Sequence, residues 1–130
     1  MKPLTKEWIR KAEGDFATAR RELRAKESPN YDAACYHAQQ CAEKYLKALL
    51  QENDIAFGKT HNLTALLEKV IVLYPLLDGL NSAAIALNVF AVDFRYPGES
   101  ANRELAVKAV ALCRELRQRI RDILRLRPVG

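Results

Sequence analysis

Residues 31–52 read YDAACYHAQQCAEKYLKALLQE, and this stretch decides the fold class. Its apolar residues recur at steps of three and four, the spacing of one helix face: Ala34, Ala38, Cys41, Tyr45 and Leu49. Asn30 stands where a helix N-cap is expected, and Asp32 suits the first turn. The pattern therefore predicts an amphipathic helix over residues 31–52.

The same periodicity predicts four more helices, over residues 4–25, 61–73, 76–94 and 100–125. Turn-forming residues separate them, with Pro75 and the Pro97-Gly98 pair as the strongest breaks. No segment shows the sustained alternation of a strand. We therefore predict an all-α protein, an antiparallel up-and-down bundle of about five helices.

Length and composition suit one globular domain over residues 1–130. Apolar residues make up 49% and charged residues 28% of the chain, which excludes a disordered composition. No apolar run approaches the roughly 20 residues of a membrane helix, and the N-terminus has no signal-peptide pattern. These features predict a cytoplasmic protein without a membrane partner.

The cysteines predict neither a disulfide framework nor a metal site. Cys35, Cys41 and Cys113 are odd in number and contain no Cys-x-x-Cys pair. The chain has only two histidines, and it lacks a Gly-rich phosphate loop and the Gly-x-Ser-x-Gly and His-Glu-x-x-His motifs. We therefore expect three small core residues, no metal, no cofactor and no standard catalytic set.

The net charge of +5 is concentrated near the C-terminus. Residues 103–127 contain eight basic and three acidic residues, so the remainder of the chain sums to zero. A basic helix attracts phosphates, but arginine is also a good helix former on a solvated surface. Both interpretations of this segment stay open.

A polar stripe runs along the helix over residues 31–52, at steps of three and four. It consists of His37, Gln40, Lys44, Lys47 and Gln51. Such a stripe can line a groove with donors for phosphate or ribose oxygens. The alternative is an ordinary solvated helix face.

Two further positions are candidates for anion binding. His61 precedes a predicted helix, whose N-terminal amides attract anions, and Lys59 lies beside it; the alternative is a polar loop with a capping residue. Arg95 is followed by Tyr96 and Pro97, a combination that suits phosphate and base contacts. The alternative is that Arg95 holds the loop in place.

Three stretches together resemble HEPN domains, the higher eukaryote and prokaryote nucleotide-binding domains. Residues 31–50 resemble the signature second helix of that family, and KTHNLTALL at residues 59–67 is similar to its second block. FRYPG at residues 94–98 resembles the element that follows its fourth helix. The order and spacing agree over residues 5–125.

The resemblance implies a helical bundle, commonly a homodimer, that binds nucleotide or RNA. Small stand-alone members are often encoded beside a minimal nucleotidyltransferase, in toxin–antitoxin-like or nucleotidyl-transfer systems. The resemblance thus implies a nucleotide-binding surface that includes these residues: His37, Gln40, Lys44, Lys47, His61, Arg95 and Tyr96.

One departure from the family bears on enzyme activity. Ribonuclease members carry an arginine followed four to six residues later by a histidine, whereas Ser100, Ala101 and Asn102 stand at those places after Arg95. The imidazole that would act as general acid or base is missing there.

Three functions follow as hypotheses. The leading one is a nucleotide-binding module that pairs with a nucleotidyltransferase and has no catalytic residues of its own. The second is a metal-independent ribonuclease toxin with a non-standard site, in which the basic last helix holds RNA and Arg95 stabilises the charged transition state. The third is a structural dimer or adaptor without a ligand.

Overall fold

The computed structural model describes residues 1–92 and 97–126, which form five α-helices and one 3₁₀ helix and contain no strand. The elements are α1 (Pro3–Arg24), α2 (Tyr31–Glu52), α3 (Leu63–Ile71), the 3₁₀ helix (Pro75–Leu80), α4 (Asn81–Val92) and α5 (Arg103–Ile123). The predicted all-α bundle is confirmed. None of the described helices combines the length and apolar character that crossing a bilayer requires.

Asparagine side chains fix where three of the helices begin. The Asn30 side chain accepts a hydrogen bond from the Ala33 amide at 2.9 Å, and α2 has the predicted bounds. Asn62 caps α3 in the same way, so this helix begins at Leu63 and not at the predicted residue 61. Asn102 caps α5 by accepting from the Leu105 amide at 2.8 Å, so this helix begins at Arg103 and not at the predicted residue 100.

The helix predicted over residues 76–94 is two elements. Pro75 opens a 3₁₀ helix in which the Leu77 amide donates to the Tyr74 carbonyl three residues earlier, at 2.9 Å. The α-helical pattern begins only at Asn81, because Pro75 lacks an amide hydrogen and the first turn closes with tighter bonds. Residues 93 and 94, the end of the predicted helix, lie outside the described residues.

Helix α2 is the centre of the bundle and packs against α1, α3, α4 and α5. From residue 41 to residue 50 every side chain except Lys44 is buried. Its Tyr45, Leu46 and Leu49 join residues of the other helices in one core, among them Phe16, Leu66, Leu87 and Leu116. The predicted packing of the cysteines is confirmed, since all three are buried and free. Burial raises the pKa of the Cys35 thiol to about 11, with a smaller contribution from Asp32.

A partly buried ion pair, joined by a tyrosine hydroxyl, connects α1, α2 and α5. Arg117 donates two hydrogen bonds to the Glu13 carboxylate, at 2.6 and 2.7 Å, and the Tyr45 hydroxyl also donates to Glu13. Arg121 donates to the Tyr45 oxygen at 3.0 Å. Burial raises the pKa of Glu13, but the hydrogen bonds and charges of these partners outweigh it, so the pKa lies below its ordinary value of 4.5.

We expect Glu13→Gln to destabilise the protein in a pH-dependent manner. A lowered carboxyl pKa stabilises the fold above the unfolded-state pKa, and this contribution is lost as the pH falls through the folded-state pKa. Urea unfolding at neutral pH should show a loss of about 2 kcal/mol. The difference from the wild type should shrink in acid, below about pH 4.5. Glu7→Gln, at a carboxylate that is 46% exposed, is the control, and a pH-independent difference for Glu13→Gln would contradict the assignment.

Candidate functional site

Two residues of the polar stripe, His37 and Lys44, converge on one carboxylate of α1. His37 Nδ1 lies 2.7 Å from Asp15 Oδ1, and Lys44 Nζ donates to Asp15 Oδ2. The His37 and Lys44 side chains are 30% and 21% exposed, whereas Asp15 is 10% exposed. Asp15 therefore anchors a histidine and a lysine at the edge of the α1–α2 contact, where both still reach solvent.

Lys47 and His61 meet at a second carboxylate, Glu43. Lys47 Nζ donates to Glu43 Oε2 at 3.1 Å, and His61 Nδ1 lies 2.9 Å from Glu43 Oε1. Lys47 and Glu43 are 5% and 3% exposed, and the Lys47 ammonium lies 5.5 Å and 5.8 Å from the ring centres of Trp8 and Phe57. Lys47 is thus a buried counter-charge for Glu43 and is not part of a solvated helix face.

His61 differs from its partners in being exposed. Its side chain is 74% exposed, although Nδ1 is tied to the buried Glu43. The backbone is also held, because Gln39 Nε2 donates to the His61 carbonyl at 3.1 Å and Gln40 Nε2 donates to Gln39 Oε1 at 2.8 Å. The result is an imidazole with a fixed orientation whose remaining edge faces solvent.

The N-terminal amides of α3 are already satisfied. The Leu63 amide donates to Asn88 Oδ1 at 2.8 Å, and the amides of Thr64 and Ala65 donate to Asn62 Oδ1 at 3.1 and 3.3 Å. This is the capped polar loop that the sequence left open as an alternative. An anion at this end of α3 would therefore meet the side chains of His61 and Lys59, not free amides.

The structure thus gathers the described candidate residues into two groups, each centred on one carboxylate. His37 and Lys44 share Asp15, Lys47 and His61 share Glu43, and Gln40 connects to the second group through Gln39. The remaining two candidates, Arg95 and Tyr96, lie outside the described residues.

Sequence reasoning missed the carboxylates that organise the site. Glu43 stands four residues before Lys47, the spacing of a helical ion pair, and could have been found on that basis. Asp15 lies three residues after Ala12 and four before Ala19, on the buried face of α1, where an acid requires a partner. Tyr36 was also missed; it is 39% exposed, and its ring packs edge-on against His37 with 5.3 Å between ring centres.

We expect Glu43→Gln to destabilise the fold strongly, because it leaves the Lys47 ammonium buried without a counter-charge. Breaking a buried pair costs about 3–5 kcal/mol, whereas replacing both partners by apolar or neutral groups is often close to neutral. The double variant with Glu43→Gln and Lys47→Met should therefore recover most of the loss in urea unfolding. Glu68→Gln, at an exposed position of α3, is the control; a Glu43→Gln loss no larger than this control would contradict the buried pair.

Two solved structures are similar to this chain. The crystal structure of TT1696 from Thermus thermophilus is 25% identical, with a TM-score of 0.77, over 91% of this chain and 96% of that one. The crystal structure of ST0689, an archaeal HEPN homologue, is 23% identical, with a TM-score of 0.72, over 94% of this chain and 98% of that one. No curated protein sequence matches the chain significantly.

The family comparison agrees with the resemblance noted in the sequence. The HEPN domain matches residues 5–123, which include every described helix except the first residues of α1. The match covers both carboxylate-centred groups of the site. The chain therefore belongs to the HEPN domain family.

Proposed function

We propose that this chain is a nucleotide-binding HEPN module that acts together with a nucleotidyltransferase. The observation that carries the proposal is the exposed imidazole of His61, oriented by the buried Glu43–Lys47 pair. A carboxylate only accepts hydrogen bonds, so Nδ1 of His61 is the donor to Glu43. The free Nε2 then accepts a hydrogen bond when the ring is neutral and donates one when it is protonated, which suits the ribose hydroxyls and phosphates of a nucleotide.

Neighbouring side chains support the same proposal. Lys59 is exposed two residues before His61 and makes no hydrogen bond or ion pair with any described residue, so its ammonium is available for phosphate. Tyr36 lies one helical turn before Gln39 and Gln40, on the side of α2 that the His61 loop contacts. An exposed tyrosine ring offers a surface on which a base can stack.

The partner is assigned from the family resemblance and from a missing residue. Arg95 lacks the histidine that follows it in ribonuclease members, so we assign the chemical step to a second protein. A nucleotidyltransferase encoded next to this chain is the expected candidate. Co-purification of the two proteins tests the pairing, and failure of the adjacent gene product to bind would contradict it.

Nucleotide binding should appear as a thermal stabilisation. A ligand at about 100 times its dissociation constant adds roughly 2.7 kcal/mol to the free energy of unfolding. We expect this gain with one or more mononucleotides for the wild type, a much smaller gain for His61→Ala and Arg95→Ala, and an unchanged gain for Lys108→Ala, at an exposed position of α5. Stabilisation that is equal in all four proteins would remove His61 and Arg95 from the site, and stabilisation by no nucleotide would refute binding by the isolated chain.

We also propose that the chain forms a homodimer through α4. This helix contains no charged residue, and its outward face carries Ile85 and Val89, which are 53% and 46% exposed. Its inward face is also apolar, with Ala84 and Leu87 fully buried. Exposed isoleucine and valine side chains on an uncharged helix are typical of a surface that a partner covers, and a second copy of this face would cover it without burying a charge.

Ile85→Glu should therefore convert the dimer to a monomer. A self-complementary interface would then bury two new carboxylates, one from each copy, and each would lose its hydration. Light scattering coupled to size-exclusion chromatography measures the mass directly. Leu4→Glu, at a leucine of α1 that is 56% exposed, is the matched control and should stay dimeric. A monomeric wild type would refute the proposal.

A further inference from the structure

Four arginines form a basic surface where the C-terminal half of α1 meets α5. They are Arg20, Arg21 and Arg24 of α1 and Arg114 of α5, here called the arginine patch. The guanidinium groups of Arg20 and Arg114 lie 5.5 and 5.9 Å from the centre of the buried Phe16 ring, so α1 and α5 contribute to the same spot. Arg117, which is paired with Glu13 and is not part of the patch, lies 4.4 Å from the same ring centre. Arg21, Arg24 and Arg114 are exposed, and Arg20 is half-buried.

The four arginines of the patch are not paired with a carboxylate among the described residues. Glu13, which lies one turn before Phe16, is held by the two hydrogen bonds from Arg117. None of the four patch arginines makes an ion pair or a hydrogen bond with a described residue. The buried Nε of Arg20 likewise lacks an acceptor in the part of the chain that the structure describes.

Helix electrostatics explain only part of this arrangement. Arg21 and Arg24 lie in the last turn of α1, where cations are favourable because of the helix dipole. The dipole does not explain why Arg20 and Arg114, from two different helices, border the same ring next to them. Four like charges brought together by the fold repel one another, and an anion bound across them would relieve that repulsion.

We infer that the arginine patch binds the phosphodiester backbone of a single-stranded nucleic acid. Guanidinium groups bind phosphate with paired hydrogen bonds, and Arg20 and Arg24 are one helical turn apart, about 6 Å along the axis. A shallow groove beside α1 is lined by Arg20, Arg21 and Arg24 together with Ala17 and Ala25. A phosphodiester backbone can approach this groove closely. The groove presents no large apolar side chain of the kind that anchors a protein partner.

The inference predicts binding without base selectivity. Phe16 is 6% exposed, so it supports the arginines but offers no face on which a base can stack. The arginine patch is also formed by α1 and α5, whereas His61 lies in the α2–α3 connection. Binding of a nucleic acid backbone by the patch therefore does not depend on the proposed nucleotide site, and an experiment can refute either proposal without refuting the other.

Fluorescence anisotropy with a short labelled single-stranded RNA of mixed sequence tests the inference on the full chain. Each phosphate contact to a single strand contributes about −0.7 to the slope of log K against log salt, so four contacts give a slope of about −2.8. Affinity should then fall about 50-fold between 50 and 200 mM salt. The double variant with Arg21→Ala and Arg24→Ala should bind more weakly and have a slope of about −1.4.

Three further measurements make the test specific. A variant with Arg21→Lys and Arg24→Lys should keep the steep slope, since it keeps both charges, and thermal unfolding confirms that each variant is folded. Arg103→Ala with Lys108→Ala removes two exposed charges of α5 outside the patch and should leave binding unchanged. Equal losses in the patch variant and this control would overturn the inference. Competition by polyglutamate as effective as that by unlabelled RNA would also overturn it and assign the patch to an acidic protein.

Discussion

The burial of α2 is the constraint on which the rest of the structure depends. Four other helices pack around it, and the ten residues from 41 to 50 leave only Lys44 in partial contact with water. An ordinary amphipathic helix has a solvated side on which polar residues need no partner. Helix α2 has almost no such side over its C-terminal half. Each polar residue there must find a partner within the protein, and the partners come from α1, α5, the α2–α3 connection and α2 itself.

This constraint separates residues that orient other side chains from residues that a ligand can reach. Lys47 and Glu43 are buried against each other, and the Lys47 ammonium lies near the rings of Trp8 and Phe57. Their pairing stabilises the fold and orients His61. His61, at 74% exposure, is the member of that group that a ligand can reach. At the other group Asp15 is the buried member, and His37 and Lys44 are the accessible ones. In both groups, a buried carboxylate thus holds in place a side chain that reaches solvent.

The proposed activities occupy different surfaces of one small bundle. The proposed nucleotide site lies at the α2–α3 connection, and the proposed dimer contact lies on the uncharged face of α4. The arginine patch lies on the outer side of α1 and α5. These assignments are compatible, because no described residue serves two of them. A nucleotide and a nucleic acid strand would then bind the proposed dimer at separate surfaces.

Local sequence determined the helices and the family. The period of the apolar residues and the caps Asn30 and Asn62 depend on neighbours a few positions apart, so α2 was predicted with its observed bounds and α3 within two residues. The 3₁₀ helix after Pro75 was missed, since periodicity does not distinguish a tight turn from the first turn of an α-helix. The stripe of polar residues was recognised, but its burial was not.

Only the tertiary structure decided that Lys47 is a buried counter-ion, that Asp15 joins His37 to Lys44, and that Arg20 and Arg114 share one ring. Most of these contacts join residues more than twenty positions apart, and their geometry depends on how the helices pack rather than on the period of any one of them.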